Sequence, residues 1–179
     1  MKLSALLLIL LAILFSSCFL GGKRIRGNGH VITESRQLTG YEGVEASGSV
    51  DVVLTQDSAY SVKVETDENL LPYVIVEKQN GILKIHQARN TNLRATGPLK
   101  VYVSGPVLRI IHASGASDIN TTNTITYNGT VSFDLSGAAD IHATVNAPAV
   151  SAEVSGAGTV ILKGQTRDLS LDGSGSGTG

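Results

Sequence analysis

The sequence has little of what large globular cores and metal centres are built from. It contains one cysteine, no tryptophan and 4% aromatic residues, although 42% of its 179 residues are hydrophobic. A single cysteine excludes an internal disulfide bond. The scarcity of aromatic residues favours a thin, strand-rich core of small and β-branched side chains. The net charge of −1 implies no general electrostatic attraction to nucleic acid or to an anionic membrane.

Motifs for common chemistries are also missing from the sequence. Nothing in it matches a nucleophile elbow, a phosphate-binding loop or a zinc signature. We therefore expect no catalytic residue, no resident metal and no cofactor.

The N-terminus has the pattern of an export signal. Lys2 precedes an uninterrupted apolar run at residues 6–15. As a helix this run would reach about 15 Å, roughly half of the hydrocarbon core of a bilayer, which indicates a signal peptide. Ser16 and Ser17 then precede Cys18, an arrangement that resembles the bacterial lipoprotein box. We expect Cys18 to be lipidated, with an ordinary secretory signal and an incidental cysteine as the alternative.

Three segments follow from this pattern. Residues 1–18 are interpreted as a lipoprotein-type signal peptide and residues 19–29, rich in glycine and basic residues, as a flexible tether. Residues 30–179 form one domain, the natural expectation at this length.

The C-terminal half repeats one short phrase. A Ser-Gly pair followed by small residues recurs, and its last three serines are 19 residues apart, with a gap of 22 residues before them. A fixed period near twenty indicates a solenoid. The serines of the phrase are Ser47, Ser114, Ser136, Ser155 and Ser174.

Apolar and polar residues alternate before each of the last three serines, which predicts a strand with one buried face. We expect Phe133, Leu135, Val154 and Leu171 to point inward. One such unit cannot bury its apolar face alone, whereas stacked copies share a core. The predicted fold is all-β, a right-handed parallel β-helix, with an antiparallel sandwich of short strands as the alternative.

Residues 31–87 are also rich in strands but less regular. Residues 67–72 have the composition of one helical turn begun by Asp67. Asn80-Gly81 between two apolar runs predicts a β-hairpin. The polar residues 89–97 are expected to form a loop.

These features together resemble a known family. The chain resembles the auto-transporter adhesin head GIN domain family in four features that occur in the same order. These are Gly29-His30-Val31, the phrase from Gly40 to Gly48, the strand at residues 99–103 and the Ser-Gly-Ala-x-Asp-Ile repeats. The resemblance extends from Gly29 to the C-terminus. It implies a β-helix of the kind found in exported proteins and lipoproteins of Bacteroidetes-type bacteria, with no catalytic residues to carry over.

Polar positions of the repeat supply two candidate columns. Asp134, Glu153 and Asp172 should form an acidic column on one outward face. The column is either a solvated stripe or a Ca²⁺ site, and a Ca²⁺ site usually needs six or more oxygen ligands. A second column should hold Asp51, Asp118, Asp140 and Thr159, whose side chains can accept backbone N–H groups at the corners.

Other residues could carry chemistry in isolation. His112 and His142 could act in acid–base work or bind zinc, but no third ligand has usable spacing, so both are interpreted as surface histidines. Asp57-Ser58-Ala59 resembles the short sequon for O-glycosylation at Ser58 in these bacteria.

The resulting functional hypothesis is a lipid-anchored module of the cell envelope that binds or adheres without catalysis. Its expected partners are the membrane, through the N-terminal lipid, and a glycan or protein ligand, but no nucleic acid. A structural protein that self-assembles through the ends of the solenoid is one alternative, and a polysaccharide-active enzyme is another. Because no capping element is visible after Ser174-Gly175, we expect a truncated domain with a poorly ordered segment at residues 172–179.

Overall fold

A computed structural model describes residues 22–176. This part of the chain contains strands throughout and a single 3₁₀ helix, Glu68–Tyr73. The strands are β1 (Lys23–Arg26), β2 (Val31–Arg36), β3 (Gly43–Gly48), β4 (Asp51–Gln56), β5 (Ser61–Asp67), β6 (Val74–Gln79), β7 (Ile82–Gln87), β8 (Thr91–Arg94), β9 (Lys100–Gly105), β10 (Ile110–Gly115), β11 (Asp118–Thr126), β12 (Thr130–Gly137), β13 (Asp140–Asn146), β14 (Ala149–Gly156), β15 (Thr159–Gln165) and β16 (Asp168–Gly175). No helix within residues 22–176 has the length and apolarity needed to cross a bilayer.

Two seven-stranded sheets make up most of the fold. The first sheet has the order β16-β14-β12-β10-β3-β7-β6 and the second has the order β15-β13-β11-β4-β9-β5-β2. Most neighbours are parallel, and the antiparallel pairs are β2–β5, β5–β9 and β6–β7. The fold is therefore all-β with two largely parallel sheets, and the antiparallel sandwich is wrong.

The pairing register follows the phase of the sequence repeat. Ser136 lies beside Ser155, and Ser155 lies beside Ser174. Phe133 and Leu135 are buried, as predicted, and so is Val154. Leu171 lies in the same inward column, in register with buried Ala152, but it is 58% exposed, because β16 is the outermost described strand of its sheet.

The corner after each serine depends on glycine. The glycines of the five phrases all have positive φ, from 77° to 114°. Each corner also stacks directly on the preceding one, since the amide of Ala138 donates to the carbonyl of Gly115 at 2.8 Å and the amide of Ala157 to that of Gly137 at 2.8 Å. At the four later phrases a Cβ would meet the backbone of the preceding glycine at 2.9 Å or less, so these positions require glycine.

The 22-residue gap has a local cause. The β11–β13 register advances four residues on β11, from Asn120 to Thr124, and two on β13, from His142 to Thr144, so β11 has a bulge with two extra residues. The turn after β11 is one residue longer than the turn after β13. Together these account for the three extra residues.

The N-terminal half confirms two local predictions. The 3₁₀ helix lies where a helical turn was expected, and β6 and β7 form the antiparallel hairpin. Asn80 and Gly81 have φ of 51° and 78°, the left-handed conformations that a two-residue hairpin turn favours. Asp67 precedes the 3₁₀ helix but makes no side-chain capping bond to it.

Two expectations about irregular segments are wrong. Residues 23–26, expected in a flexible tether, form β1, and residues 91–94, expected in a loop, form β8. The two strands pair in parallel and place Ile25 and Leu93 against the hydrophobic core. Each is a marginal strand by sequence, and their apolar residues become buried only when the two segments meet.

The C-terminal segment also differs from expectation. Residues 172–175, expected to be poorly ordered, belong to β16 and pair with β14. Backbone pairing does not require large side chains, so a glycine-rich segment can still extend a parallel sheet.

Candidate binding faces

The outward face of the first sheet carries the predicted acidic column. Glu153 lies between Asp134 and Asp172 in the register, as the repeat predicts. The column continues past the repeats, because His112 pairs with both Asp134 and Glu45. The sequence analysis interpreted His112 only as a surface histidine, and the register of β10 places it within the column.

This column offers anionic groups around one imidazole. His112, Asp134 and Glu45 line an open depression of about 290 Å³ together with Ser114 and Ser136. Glu45 also forms an ion pair with Lys84 at 3.3 Å. Within residues 22–176 no group of three or more His, Cys, Asp or Glu side chains is arranged to hold a metal ion. The cation site at Asp134, Glu153 and Asp172 stays a prediction.

The second acidic column has the structural role expected for it at one corner. Asp140 Oδ1 accepts a hydrogen bond from the Thr159 amide at 2.8 Å. Burial raises the pKa of Asp51, and the neighbouring Asp118 carboxylate raises it further, while Lys100 lowers it. These groups act on corner backbone and on each other.

The remaining candidates lie apart. His142 is exposed on β13 of the second sheet, whereas His112 is on the first sheet, so the two histidines do not form one site. Ser58 is exposed in the turn between β4 and β5, and its hydroxyl donates to Asp57 Oδ1 at 3.2 Å. Its glycosylation stays a prediction. The predicted lipidation site, Cys18, lies outside the described residues.

The structure adds a face that the sequence interpretation missed, on the outward side of the second sheet. Tyr102 of β9 lies at the centre of this face and is 38% exposed. It is flanked by Lys63 on β5 and by Val53 on β4. An open depression of about 470 Å³ surrounds it, lined by Thr33, Thr55, Asp57, Ser61, Lys63, Glu65, Tyr102, Val103 and Ser104.

The polar groups of this face are held in place by hydrogen bonds. Tyr102 Oη donates to Glu65 Oε2 at 2.6 Å, and this bond raises the pKa of Tyr102. Ser104 Oγ donates to the Ala59 carbonyl at 3.1 Å. The Thr55 hydroxyl is 2.7 Å from that of Thr122 in the β11 bulge. An exposed ring among fixed hydroxyl, carboxylate and ammonium groups can stack on an apolar surface of a ligand and bond to its polar rim.

One signal in the sequence points to this face. Residues 100–103 alternate with Val101 and Val103 as the apolar positions, so Tyr102 is at an outward position of its strand. An aromatic residue on the polar face of a strand is unusual in a chain with so few aromatic residues. The neighbouring hydroxyls come from β2, β4 and β5, and the sequence alone does not bring these strands together.

Comparison with known protein families gives a match over most of the chain. A family described as "Putative auto-transporter adhesin, head GIN domain" matches residues 40–178. Among curated proteins, none matches this sequence.

Solved structures share the fold at low sequence identity. A putative adhesin from Parabacteroides distasonis has 18% identity and a TM-score of 0.63, with 87% of this chain and 83% of that chain covered. One from Bacteroides fragilis has 16% identity and a TM-score of 0.62, covering 86% and 98%. A P. distasonis protein described as a putative lipid binding protein has 19% identity and a TM-score of 0.50, covering 87% and 99%.

Proposed function

The chain belongs to the auto-transporter adhesin head GIN domain family, and from that premise we propose that it is a non-catalytic binding module of the cell envelope. In this proposal a lipid on Cys18 anchors the protein to a membrane, and its repeats form a right-handed parallel β-helix. The face around Tyr102 contacts a glycan or protein ligand.

The alternation of strands between the sheets supports the proposed β-helix. From β12 to β16, successive strands alternate between the first and second sheets, and β12 pairs in parallel with β14, β13 with β15 and β14 with β16. A crossover that joins parallel strands of one sheet is right-handed in about 98% of cases, which supports the handedness.

The observation that carries the binding proposal is the exposed Tyr102 ring at the centre of a depression of about 470 Å³. This volume lies within the range of about 300–1,000 Å³ typical of small-ligand sites. The fold shared with a protein described as a putative lipid binding protein raises a lipid as another ligand. The depression with an apolar lining of Ala152, Val154, Val160 and Leu171 measures about 140 Å³, too small for an acyl chain, so a polar ligand is favoured.

Arrays of glycans and of bacterial envelope proteins test the binding proposal. We expect a ligand whose affinity falls about tenfold or more in Tyr102→Ala, as loss of about 1.4 kcal/mol of stacking would produce. Ile161→Ala is the matched control, because Ile161 is 42% exposed on the same sheet but lies in β15, outside the depression. Equal losses in both variants, or no ligand for the wild type, would contradict the proposal.

The fate of the bound ligand shows whether the protein only binds it or also cleaves it. Mass spectrometry after long incubation should recover it intact. Release of cleaved glycan would instead favour the polysaccharide-active enzyme.

Membrane fractionation tests the anchor. The wild type should sediment with membranes and carry acyl chains on its mature N-terminus, and Cys18→Ser should abolish the acylation. An unacylated wild type that remains soluble would show that residues 1–18 are an ordinary secretory signal.

A structural, self-assembling protein is the second candidate. The observation that favours it is β16, the outermost described strand of the first sheet, where Leu169 and Leu171 are 57% and 58% exposed. Apolar side chains beside an unpaired strand edge are suited to pairing with another chain.

A further inference from the structure

Three arginines meet on a small parallel ribbon formed by β1 and β8. Arg26 pairs directly with Arg94, and Arg24 lies on the same face two residues before Arg26. All three are exposed, and they line an open depression of about 520 Å³ with Ala95 and Thr96. We call Arg24, Arg26 and Arg94 the arginine ribbon.

Hydrogen bonds on both sides fix the position of the ribbon. The Gly27 amide donates to the Arg94 carbonyl at 2.9 Å, and Asn69 Nδ2 donates to the Arg26 carbonyl at 2.8 Å. Ile25 and Leu93 on the opposite face pack on the core. The guanidinium groups therefore start from a fixed backbone frame rather than from a flexible tail.

This arrangement opposes folding unless the charge is neutralised. Like charges directly opposite on neighbouring strands are destabilising. Elsewhere in residues 22–176, Arg36, Arg109 and Arg167 each form an ion pair with a carboxylate, whereas Arg89 and the three arginines of the ribbon form none within that part of the chain. Asp67, the buried carboxylate behind Thr96, is already bonded to Thr96 and to the Gly29 amide.

The chemistry that fits three unpaired guanidinium groups is the phosphate group, since the planar fork of arginine binds phosphate oxygens in pairs. The position of the ribbon identifies the source of the phosphate. Arg24 follows Cys18 by six residues, a span of at most about 20 Å even when fully extended. A lipid on Cys18 would hold the ribbon at the bilayer surface, where each basic residue adds about fivefold to the attraction of anionic lipids.

We infer that the arginine ribbon docks this domain onto the phosphate headgroups of an anionic membrane. The location of the docked domain rests on the proposed anchor at Cys18, whereas the affinity of the ribbon for anionic lipid does not. A lipid with an adjoining basic surface would supply the two signals that stable attachment to a membrane needs.

Vesicle co-sedimentation of the full chain tests this inference. The quantity measured is the ratio of binding to vesicles with one-third phosphatidylglycerol over binding to neutral phosphatidylcholine vesicles. Any lipid or signal segment is common to all variants and both vesicle types, so the ratio isolates the ribbon. The wild-type ratio should be on the order of 100 at low salt and should fall as salt is added.

Two triple variants with equal change in net charge give the contrast. The ribbon variant combines Arg24→Gln, Arg26→Gln and Arg94→Gln, and it should bring the ratio close to one. The control combines Lys78→Gln, Lys163→Gln and Arg167→Gln and should leave the ratio near the wild-type value, because these exposed cations lie outside both the ribbon and the face around Tyr102. Thermal melting of each variant verifies folding, and the ribbon variant should melt no lower than the wild type, since it relieves the Arg26–Arg94 repulsion.

Three results would overturn the inference. One is a wild-type ratio near one, and another is an equal loss of the ratio in both triple variants. The third is saturable binding of inorganic phosphate in calorimetry that blocks vesicle binding, because it would identify a discrete site for a free anion. Failure of the anchor appears separately, as an unacylated protein whose vesicle ratio still depends on the ribbon.

Discussion

At the scale of single residues, the stacked glycines are the least replaceable positions. Gly115 has φ of 77°, and a Cβ there would lie 2.7 Å from the Gly48 carbonyl oxygen. The backbone on both sides is fixed by parallel pairing, so the clash cannot relax without breaking the register.

We predict that Gly115→Ala lowers the free energy of unfolding by about 1–3 kcal/mol or more. Gly173→Ala is the control, because a Cβ at Gly173 meets nothing within 4 Å. Urea unfolding measures both. A cost for Gly115→Ala no larger than that for Gly173→Ala would show that the corners tolerate side chains.

Asp67 is a second residue whose structural role follows from its hydrogen bonds. It is 0% exposed, and its carboxylate accepts hydrogen bonds from the Thr96 hydroxyl at 2.6 Å, the Thr96 amide at 2.8 Å and the Gly29 amide at 2.7 Å. The bond from the Thr96 hydroxyl, with those from the amides, holds the pKa of Asp67 below its usual value, despite the opposing effect of burial.

The pH dependence of stability follows from this shift. A carboxyl group with a lower pKa in the folded state stabilises the fold above its unfolded pKa of about 3.9, and the contribution is lost as pH falls through the folded value. We predict that Asp67→Asn costs about 1–3 kcal/mol at pH 7 and that the difference from the wild type narrows below pH of about 4.

Denaturant unfolding at a series of pH values measures this narrowing. Asp57→Asn serves as the control, since Asp57 is exposed in a turn. A gap between wild type and Asp67→Asn that stays constant from pH 7 to about pH 3 would show that the Asp67 charge is not what the bonds stabilise.

At the scale of elements, strand β12 tests which face is buried. Leu135 is 0% exposed, and adjacent Asp134 lies on the outward face. We predict that Leu135→Asp destabilises the protein by several kcal/mol, because it places an unpaired charge in a thin core, while Asp134→Asn stays within about 0.5 kcal/mol of the wild type. Thermal or urea unfolding of the two variants gives the comparison, and equal effects would contradict the assigned faces.

The repeats were predictable because each strand specifies its own face and its own corner. Alternation around Phe133 and Leu135 fixes the buried side, and the Ser-Gly corner fixes where each strand ends. Register then follows, since a shift by one residue would expose the whole apolar column. The hairpin at Asn80-Gly81 was predictable for the same local reason.

Features made by pairs of distant segments were not predictable in this way. Strands β1 and β8 are separated by more than sixty residues, and neither has a pattern that requires a partner. The β11 bulge is bonded to the distant strand β4, because the Asn123 side chain accepts from the Gln56 amide at 2.9 Å and donates to the Gln56 carbonyl at 2.8 Å. Tyr102 and the arginine ribbon are binding candidates only because residues from several strands meet around them.

At the scale of the whole molecule, the two sheets end in strands with unlike surroundings. At one end β2 and β6 pair antiparallel with their neighbours, and residues 33–36 of β2 are all polar. At the other end β16 is exposed along its whole length, including both leucines. Exposed leucines in register with the buried Val150 and Ala152 continue the core column into solvent.

We predict that this end mediates weak self-association of the chain as described, as burial of two half-exposed leucines and pairing of a free strand edge both favour contact. Sedimentation equilibrium should show an average mass that rises with concentration. Leu169→Lys with Leu171→Lys should return the protein to a monomer over the same range, because lysines on an edge strand oppose pairing. Tyr102→Lys removes a comparably exposed side chain, 38% exposed, from β9 in the interior of the second sheet and should leave association unchanged. A wild type that remains monomeric at high concentration would leave the self-assembling alternative without support, and the binding face around Tyr102 would then be the stronger explanation of how this domain meets its partners.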